Sequence, residues 1–288
     1  MAFRVLTDFI QEDVIVDMLI DKLYATNVAR NAVMVTSQAS LGYGSSYKFP
    51  AVGDLTVNQY NGLGVTPEDA TQANAIISID NYPFINFYLE DSDVNESKAL
   101  SLAGAWASEA AYRISKDIDV KVFATLHSGA TTDAGLGITS APIALTSDTL
   151  ILDYVEAFAT KLKESNIDTD AVLVVPSFVE VSLARSMGTL VQNQTVNGAI
   201  VAGKIGTLFG LDIFSSNNLP IGVAGGLVAG EYGVVGGKRS CFGLVEGTTI
   251  VKNGNSETKP ATFNQYGMVY GADFIQALGW YAGVVSKS

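Results

Sequence analysis

Apolar residues change their period along this chain, and the changes mark its elements. Within residues 8–23, Ile10, Val14 and Met18 stand four apart, the spacing of one helical face, and Thr7 or Asp8 is placed to cap that helix. From Tyr47-Lys48-Phe49 the pattern turns to strand. Turn chemistry follows at Tyr60-Asn61-Gly62-Leu63-Gly64, and a return strand alternates Ala75, Ile77 and Ile79 with Asn74, Ser78 and Asp80 before Phe84-Ile85-Asn86-Phe87-Tyr88-Leu89. Residues 46–91 therefore predict one long β-hairpin. A hairpin of that length is marginal alone, so it needs another surface to lie on.

The strongest helical signal covers residues 93–128. Asp93 and Glu96 fit a capping box, Leu102, Trp106, Ala110, Ile114, Ile118 and Val122 form one apolar stripe, and Glu109–Arg113 and Asp117–Lys121 are i,i+4 pairs. Gly129 is placed to stop it. At 1.5 Å per residue such a helix is about 54 Å long, more than a compact domain of this size needs. Its length suits a spine or an interface.

Beyond a Thr/Ser/Gly-rich loop at 129–147, the pattern becomes α/β. It predicts a helix over about 149–165, a continuous apolar strand at Ala171–Val175, a second helix begun by Pro176 and ended before Gly188, and a strand at 207–214. From Gly226 onward it predicts short strands separated by glycine-rich turns.

Composition narrows the function. The 288 residues are 48% hydrophobic and only 16% charged, against about 25% in ordinary soluble domains. Mean hydropathy is +0.27. A chain so poor in charge must bury surface in lipid or against copies of itself. The apolar stretches are interrupted by Glu231, Asp273 and Gln276, so none offers about 20 uninterrupted apolar residues. The first residues show no secretory signal. Extensive self-association fits what remains. The net charge of −12, with no dense Lys/Arg run, argues against a protein that grips nucleic acid.

Candidate chemistry is thin. A single histidine, His127, and a single cysteine, Cys241, leave no metal cluster, no disulfide and no Gly-x-Ser-x-Gly elbow for a hydrolase. His127 reads as a cation complementing the end of the long helix, and Cys241 as a small buried apolar residue in a strand. Gly198–Lys204 nearly matches a phosphate loop, but Ile205 stands where Ser or Thr must hold Mg²⁺. Asp168 and Asp170 sit in a polar turn without a pocket. No catalytic residue, cofactor or metal is expected. Asp13, Asp17 and Asp21 form an acidic stripe that reads either as a solvated face or as a docking face for a basic partner.

Val174-Val175-Pro176 leading into a helix, and Ile205-Gly206 through Gly210 followed by Ser216-Asn217-Asn218-Leu219-Pro220, are the passages by which the chain resembles the major capsid proteins of tailed bacteriophages, the Hong Kong 97-type fold. The order of arm, hairpin, long helix, α/β lobe and closing strands extends the resemblance over nearly the whole chain. It implies an α+β fold with an N-terminal arm at 1–45 and an extended loop at 46–91. A peripheral domain would take 92–147 and 235–288, with its spine helix at 93–128, and an axial domain 148–234. It implies a coat protein that assembles through pentamers and hexamers into an icosahedral shell around double-stranded DNA, without sequence-specific binding and without a membrane. A separate scaffolding protein, a portal and a decoration protein are the further partners, with assembly in the host cytoplasm and residence in the virion capsid. Asp13, Asp17, Asp21, Lys48, Tyr60, Trp106, Arg113, Asn217 and Asn218 are the interface candidates. An encapsulin-type compartment shell is the alternative on the same fold. An α/β enzyme and a tail-tube or decoration protein are alternatives of other classes.

Overall fold

The computed structural model describes residues 27–38, 40–52, 72–90, 99–187, 195–196, 199–200, 204–223, 226–255 and 261–287. The chain opens with the short helix α1 (Ala29–Ala32), strand β1 (Met34–Ser37), the hairpin strands β2 (Ser46–Val52) and β3 (Gln72–Ser78), strand β4 (Phe84–Glu90) and the long helix α2 (Ala99–Gly129). Short strands β5 (Thr131–Thr132) and β6 (Ile143–Ala144) lead to helix α3 (Asp148–Glu164), strand β7 (Ala171–Val175) and helix α4 (Ser177–Met187). The pair β8 (Thr195–Val196) and β9 (Ala199–Ile200) precedes β10 (Lys204–Leu208) and β11 (Leu211–Ser215). Strands β12 (Glu231–Lys238), β13 (Phe242–Asn255), β14 (Ala261–Phe274) and β15 (Trp280–Ser286) close the chain.

Strand β7 explains the architecture. Its five residues are all buried, and their alternation splits them between two cores. Val172 and Val174 join the core under α2, whereas Leu173 and Val175 join the core under α3. A strand covered on both faces has no polar side to present, so it reads as an unbroken apolar run. It pairs parallel with β11 and antiparallel with β12, in a seven-stranded sheet ordered β10-β11-β7-β12-β15-β5, with β6 also on β15. A second sheet, β1-β13-β14-β4, lies under the other part of α2.

Ala110, Ile114, Ile118 and Val122 are buried with Phe242, Leu244, Met268, Tyr270 and Trp280, so this part of the α2 stripe faces the core as its spacing predicts. Trp106 does not follow it: 37% of its surface is exposed. The first described residue of the helix is Ala99, and Asp93 and Glu96 lie outside the described residues. Gly129 is the last helical residue rather than a stop beyond it. Ser147 caps α3, its hydroxyl accepting from the Leu150 N–H at 3.3 Å.

Three strand expectations are corrected. The β2–β3 hairpin pairs only residues 46–52 with 72–78, and Phe84–Glu90 leaves it to pair with β14 in the second sheet. Residues 207–214 are not one strand but part of the β10–β11 hairpin. Phe209 (φ 53°) and Gly210 (φ 88°) both take left-handed backbone, the two-residue reversal that matches strand twist. A phenylalanine at the first of those positions hides the signal that Asn-Gly would have given. The C-terminal strands are also not short, for β13 and β14 are 14 residues each. Gly247, Gly267 and Gly271 in these strands are sites of close backbone approach rather than turns.

Gly271 in β14 shows why. The base of the β2–β3 hairpin folds back onto this sheet, burying Phe49, Ile77 and Ile79 against Val245 and Val269. A β-carbon at Gly271 would stand 2.2 Å from the Ser78 carbonyl oxygen, which is backbone and cannot step aside. Gly271→Ala is therefore expected to cost about 2–4 kcal/mol in urea unfolding of the unassembled subunit. Gly254→Ala, in β13 with open space around the new methyl, is expected to stay within about 0.5 kcal/mol of the parent. Equal midpoints for the two variants would refute the close-approach account.

Candidate functional site

The described part of the chain contains a buried clamp and an exposed helix face, and no assembled catalytic centre. The clamp is built on Asp119, near the middle of α2 and 1% exposed. Its Oδ1 accepts from the Ala29 N–H at 2.9 Å. Its Oδ2 accepts from the Val28 N–H at 3.3 Å and from Asn218 Nδ2 at 3.1 Å. One carboxylate thus gathers the start of α1, the spine helix and the turn after β11. The donors at α1 are N–H groups at a helix start, which have no partner inside the helix and attract negative charge.

Burial pushes the Asp119 carboxyl up to about 6, against the opposing pull of the Ala29, Asn218 and Val28 donors. A second acid holds the same segment further on. Glu246 in β13, also buried, accepts from the Ser37 hydroxyl at 2.8 Å and pairs with the Arg30 guanidinium at 3.2 Å.

The polar cluster at the edge of the seven-stranded sheet is likewise internal. Asp212 takes the Lys204 ammonium at 2.9 Å, the Thr207 hydroxyl at 3.0 Å and Arg239 Nη2 at 2.7 Å. Burial raises the Asp212 carboxyl, but the hydrogen bonds of Lys204 and Thr207 and the charges of Lys204 and Arg239 together hold it below its ordinary value. Lys204 is thereby engaged with a carboxylate, in line with the failed phosphate-loop pattern. Arg239 also reaches Asp170 at 3.4 Å, so Asp170 belongs to an ion pair and not to a catalytic carboxylate couple.

Cys241 is buried, in a 3₁₀ turn at Arg239–Cys241 rather than a strand, and its thiol is pushed up by burial. His127 lies in the last turn of α2 against Gly233, where a β-carbon would meet its ring at 2.8 Å. Burial lowers its pKa, with a hydrogen bond to the Gly283 backbone working the other way. The expectation of a cation at the helix end is therefore corrected: low polarity around the ring disfavours the charged imidazole. Among the described residues no three His, Cys, Asp or Glu side chains converge as a metal site. An open groove of about 480 Å³ beside α3 is lined by Asp133, Asp153, Glu156 and Glu164, with Lys161 bridging Asp133 and Glu164.

The interface candidates separate. Asp13, Asp17, Asp21 and Tyr60 lie outside the described residues. Lys48 is exposed on β2, in register with Ile76 of β3. Trp106 stands edge-on to Phe87 at 5.0 Å, with part of its ring in solvent. Arg113 is exposed and pairs with Glu109 at 2.7 Å, as the spacing predicts. Of the expected Asp117–Lys121 pair, Asp117 instead accepts from the Tyr270 hydroxyl at 3.4 Å. Asn217 faces solvent. Asn218 turns its amide inward to Asp119 and its backbone N–H to the Ser216 hydroxyl at 3.1 Å, so it holds the clamp rather than an outer surface.

Sequence reasoning missed Asp119 and Glu246. The available signal was Asp119 next to the apolar stripe, one residue after Ile118, where a charged residue needs partners from elsewhere in the fold.

The family of phage capsid proteins matches residues 86–285, about two thirds of the chain. The chain belongs to that family. A comparison with curated protein sequences gives no match. Many solved structures share the fold. The capsid of Cyanophage P-SCSP1u is 16% identical, with 92% of this chain and 89% of that one covered at a TM-score of 0.61. A structure from Mycobacterium phage Che8 is 20% identical over 83% of this chain and 84% of that one, at 0.60. The virus-like particle from Pyrococcus furiosus is 14% identical over 93% and 96%, at 0.58. Identities this low carry the fold alone, and the fold is the α+β Hong Kong 97-type. This capsid protein is a structural component of a shell built from many copies.

The clamp makes a prediction with a definite sign. Asp119 titrates near 4 in the unfolded chain and near 6 in the folded one. Its protonated form is favoured by the fold, so this contribution is complete below about pH 4 and lost as pH rises through 6. Asp119→Asn is expected to remove it. The parent-minus-variant stability should fall by up to about 3 kcal/mol between pH 4 and pH 7 in urea titrations of the unassembled subunit. A difference that is flat with pH would contradict the assignment.

Proposed function

We propose that this capsid protein is the major coat protein of an icosahedral virion, assembling through pentamers and hexamers around double-stranded DNA in the host cytoplasm. In this reading residues 1–45 act as an arm and 46–91 as an extended loop. Residues 148–234 form the lobe around the capsomer axis, and 92–147 with 235–288 the peripheral part. The chain performs no catalysis; its work is repeated contact around closed symmetry. Scaffolding, portal and decoration proteins are its expected partners.

The observation that carries the proposal is the match to the phage capsid family over residues 86–285. Physical features support it. Charge is low for a soluble chain of this size, and large self-contacts relieve that shortage of polar surface. The hairpin base folds on its own subunit, and Tyr60 lies outside the described residues. The polar clusters described above are used up in internal pairs, which leaves them little chemistry to perform.

The test is expression of the full chain alone and with the products of its neighbouring genes, followed by negative-stain electron microscopy and light scattering. Closed shells or five- and six-membered rings are expected, with double-stranded DNA inside particles made during infection. A packaged enzyme in place of DNA would move the reading to a compartment shell. A monodisperse monomer or dimer under every condition would overturn it.

A further inference from the structure

The seven-stranded sheet ends in two unlike edges. The β10–β11 hairpin forms one of them, and β5 with β6 lies at the other, beyond β15. On the first edge the hairpin turns through Phe209, whose side chain is 39% exposed and whose backbone is left-handed at φ 53°. Among the described residues the other non-glycine positions with such backbone are Asn166 and Asp170, whose short polar side chains tolerate it. Phenylalanine carries that strain without relief. The hairpin behind it is fixed, since Asp212 holds Lys204, Thr207 and Arg239 together. A strained, exposed aromatic ring on a fixed turn adds little to the stability of its own subunit, and it offers rigid contact area to another surface.

The opposite edge carries the open groove of about 480 Å³, between α3 and the turn at Ala134–Leu136 that follows β5. Leu136 and Ala157 are its apolar lining, and four acids against Lys161 leave it three negative charges in excess. Lys161 is taken by Asp133 and Glu164, so Asp153 and Glu156 are the acids without an ion-pair partner among the described residues. Turn and groove lie at the same end of the sheet. β11 runs parallel to β7 with Asp212 beside Val172, which puts the Phe209 turn where β7 begins. α3 finishes at Glu164, shortly before β7 starts at Ala171. β5 pairs with Tyr281 and Ala282, next to the Trp280–Gly237 pair at that same end. At about 4.8 Å per strand the two edges are about 24 Å apart. Their charges are complementary, for Lys204, Lys238 and Arg239 behind the Phe209 turn outnumber Asp170 and Asp212 by one.

Resting on the capsid-shell reading, we infer that the Phe209 turn of one copy seats in the α3 groove of the next. The ring enters beside Leu136 and Ala157, and the basic side of the hairpin faces Asp153 and Glu156. A second copy is the occupant because the complementary charges stand on two edges of the same chain, so every subunit carries both halves of the contact. Two different patches at opposite edges of one sheet meet head-to-tail, and such contacts repeat around a ring. Burying the aromatic ring in the neighbour offsets the strain that the free subunit carries.

Full-length chain carrying p-benzoylphenylalanine in place of Phe209, assembled into shells and irradiated, tests this directly. Links from position 209 to residues 133–136 or 153–164 of another chain are expected, and denaturing gels should show ladders that stop at five or six chains. In parallel, Phe209→Asn is expected to raise the urea midpoint of the unassembled subunit, because asparagine accepts left-handed backbone, and to lower shell yield at least tenfold. Links confined to one chain, links to another part of the neighbour or to a different protein, or parental shell yield from Phe209→Asn would overturn the inference and leave the shell reading intact. Absence of shells from the parent chain under all conditions would overturn both.

Discussion

The arrangement of this subunit depends on placing one carboxylate where water cannot reach it. Among the described residues, the hydrogen bonds to Asp119 come from two backbone N–H groups and one amide, and none comes from a cation. That combination makes the contact directional. A buried carboxylate costs several kcal/mol unless its lone pairs are filled, so the chain is stable only when α1, α2 and the Asn217–Pro220 turn are all in place together. Glu246 repeats the device for the next few residues through Arg30 and Ser37. The first described residues of the chain, around Val28 and Ala29, are therefore held in place by hydrogen bonds within the subunit.

Around that joint the two cores share strands. Alternate residues of β7 enter opposite cores, and β12 and β15 in the same sheet likewise send Val235, Trp280 and Ala282 to the α2 core and Val234 and Val285 to the α3 core. Proposed axial and peripheral parts thus have a continuous hydrogen-bonded sheet between them rather than a flexible linker. A shell subunit gains from this: force applied at one contact reaches the others through backbone pairing. The glycines of β13 and β14 serve the same end, since Gly271 lets the hairpin base lie directly on the sheet.

Much of this was legible in advance, and the pattern of success is physical. Residues 171–175 read as a central strand because burial on both faces removes every polar position, and α3 read within one residue because its apolar spacing is a local signal. Arg113 pairs with Glu109 because i,i+4 contacts need only the helix. The hairpin at Phe209–Gly210 was hidden because left-handed backbone at a phenylalanine is imposed by the strands it joins. Trp106 breaks its stripe because it sits edge-on to Phe87, a neighbour brought by β4 from elsewhere in the chain.

By itself the sequence determined the kind of object this is. A hydrophobic, charge-poor chain with a long helix, a single histidine and a single cysteine reads as one that associates with copies of itself, and hydrophobic period and composition are properties of local order. Tertiary structure alone decided which polar residues matter. Asp119, Glu246 and Asn218 look like ordinary polar residues until segments 90 to 209 residues apart converge on them, because the cost of burying a charge, and the donors that offset it, exist only after the chain has folded.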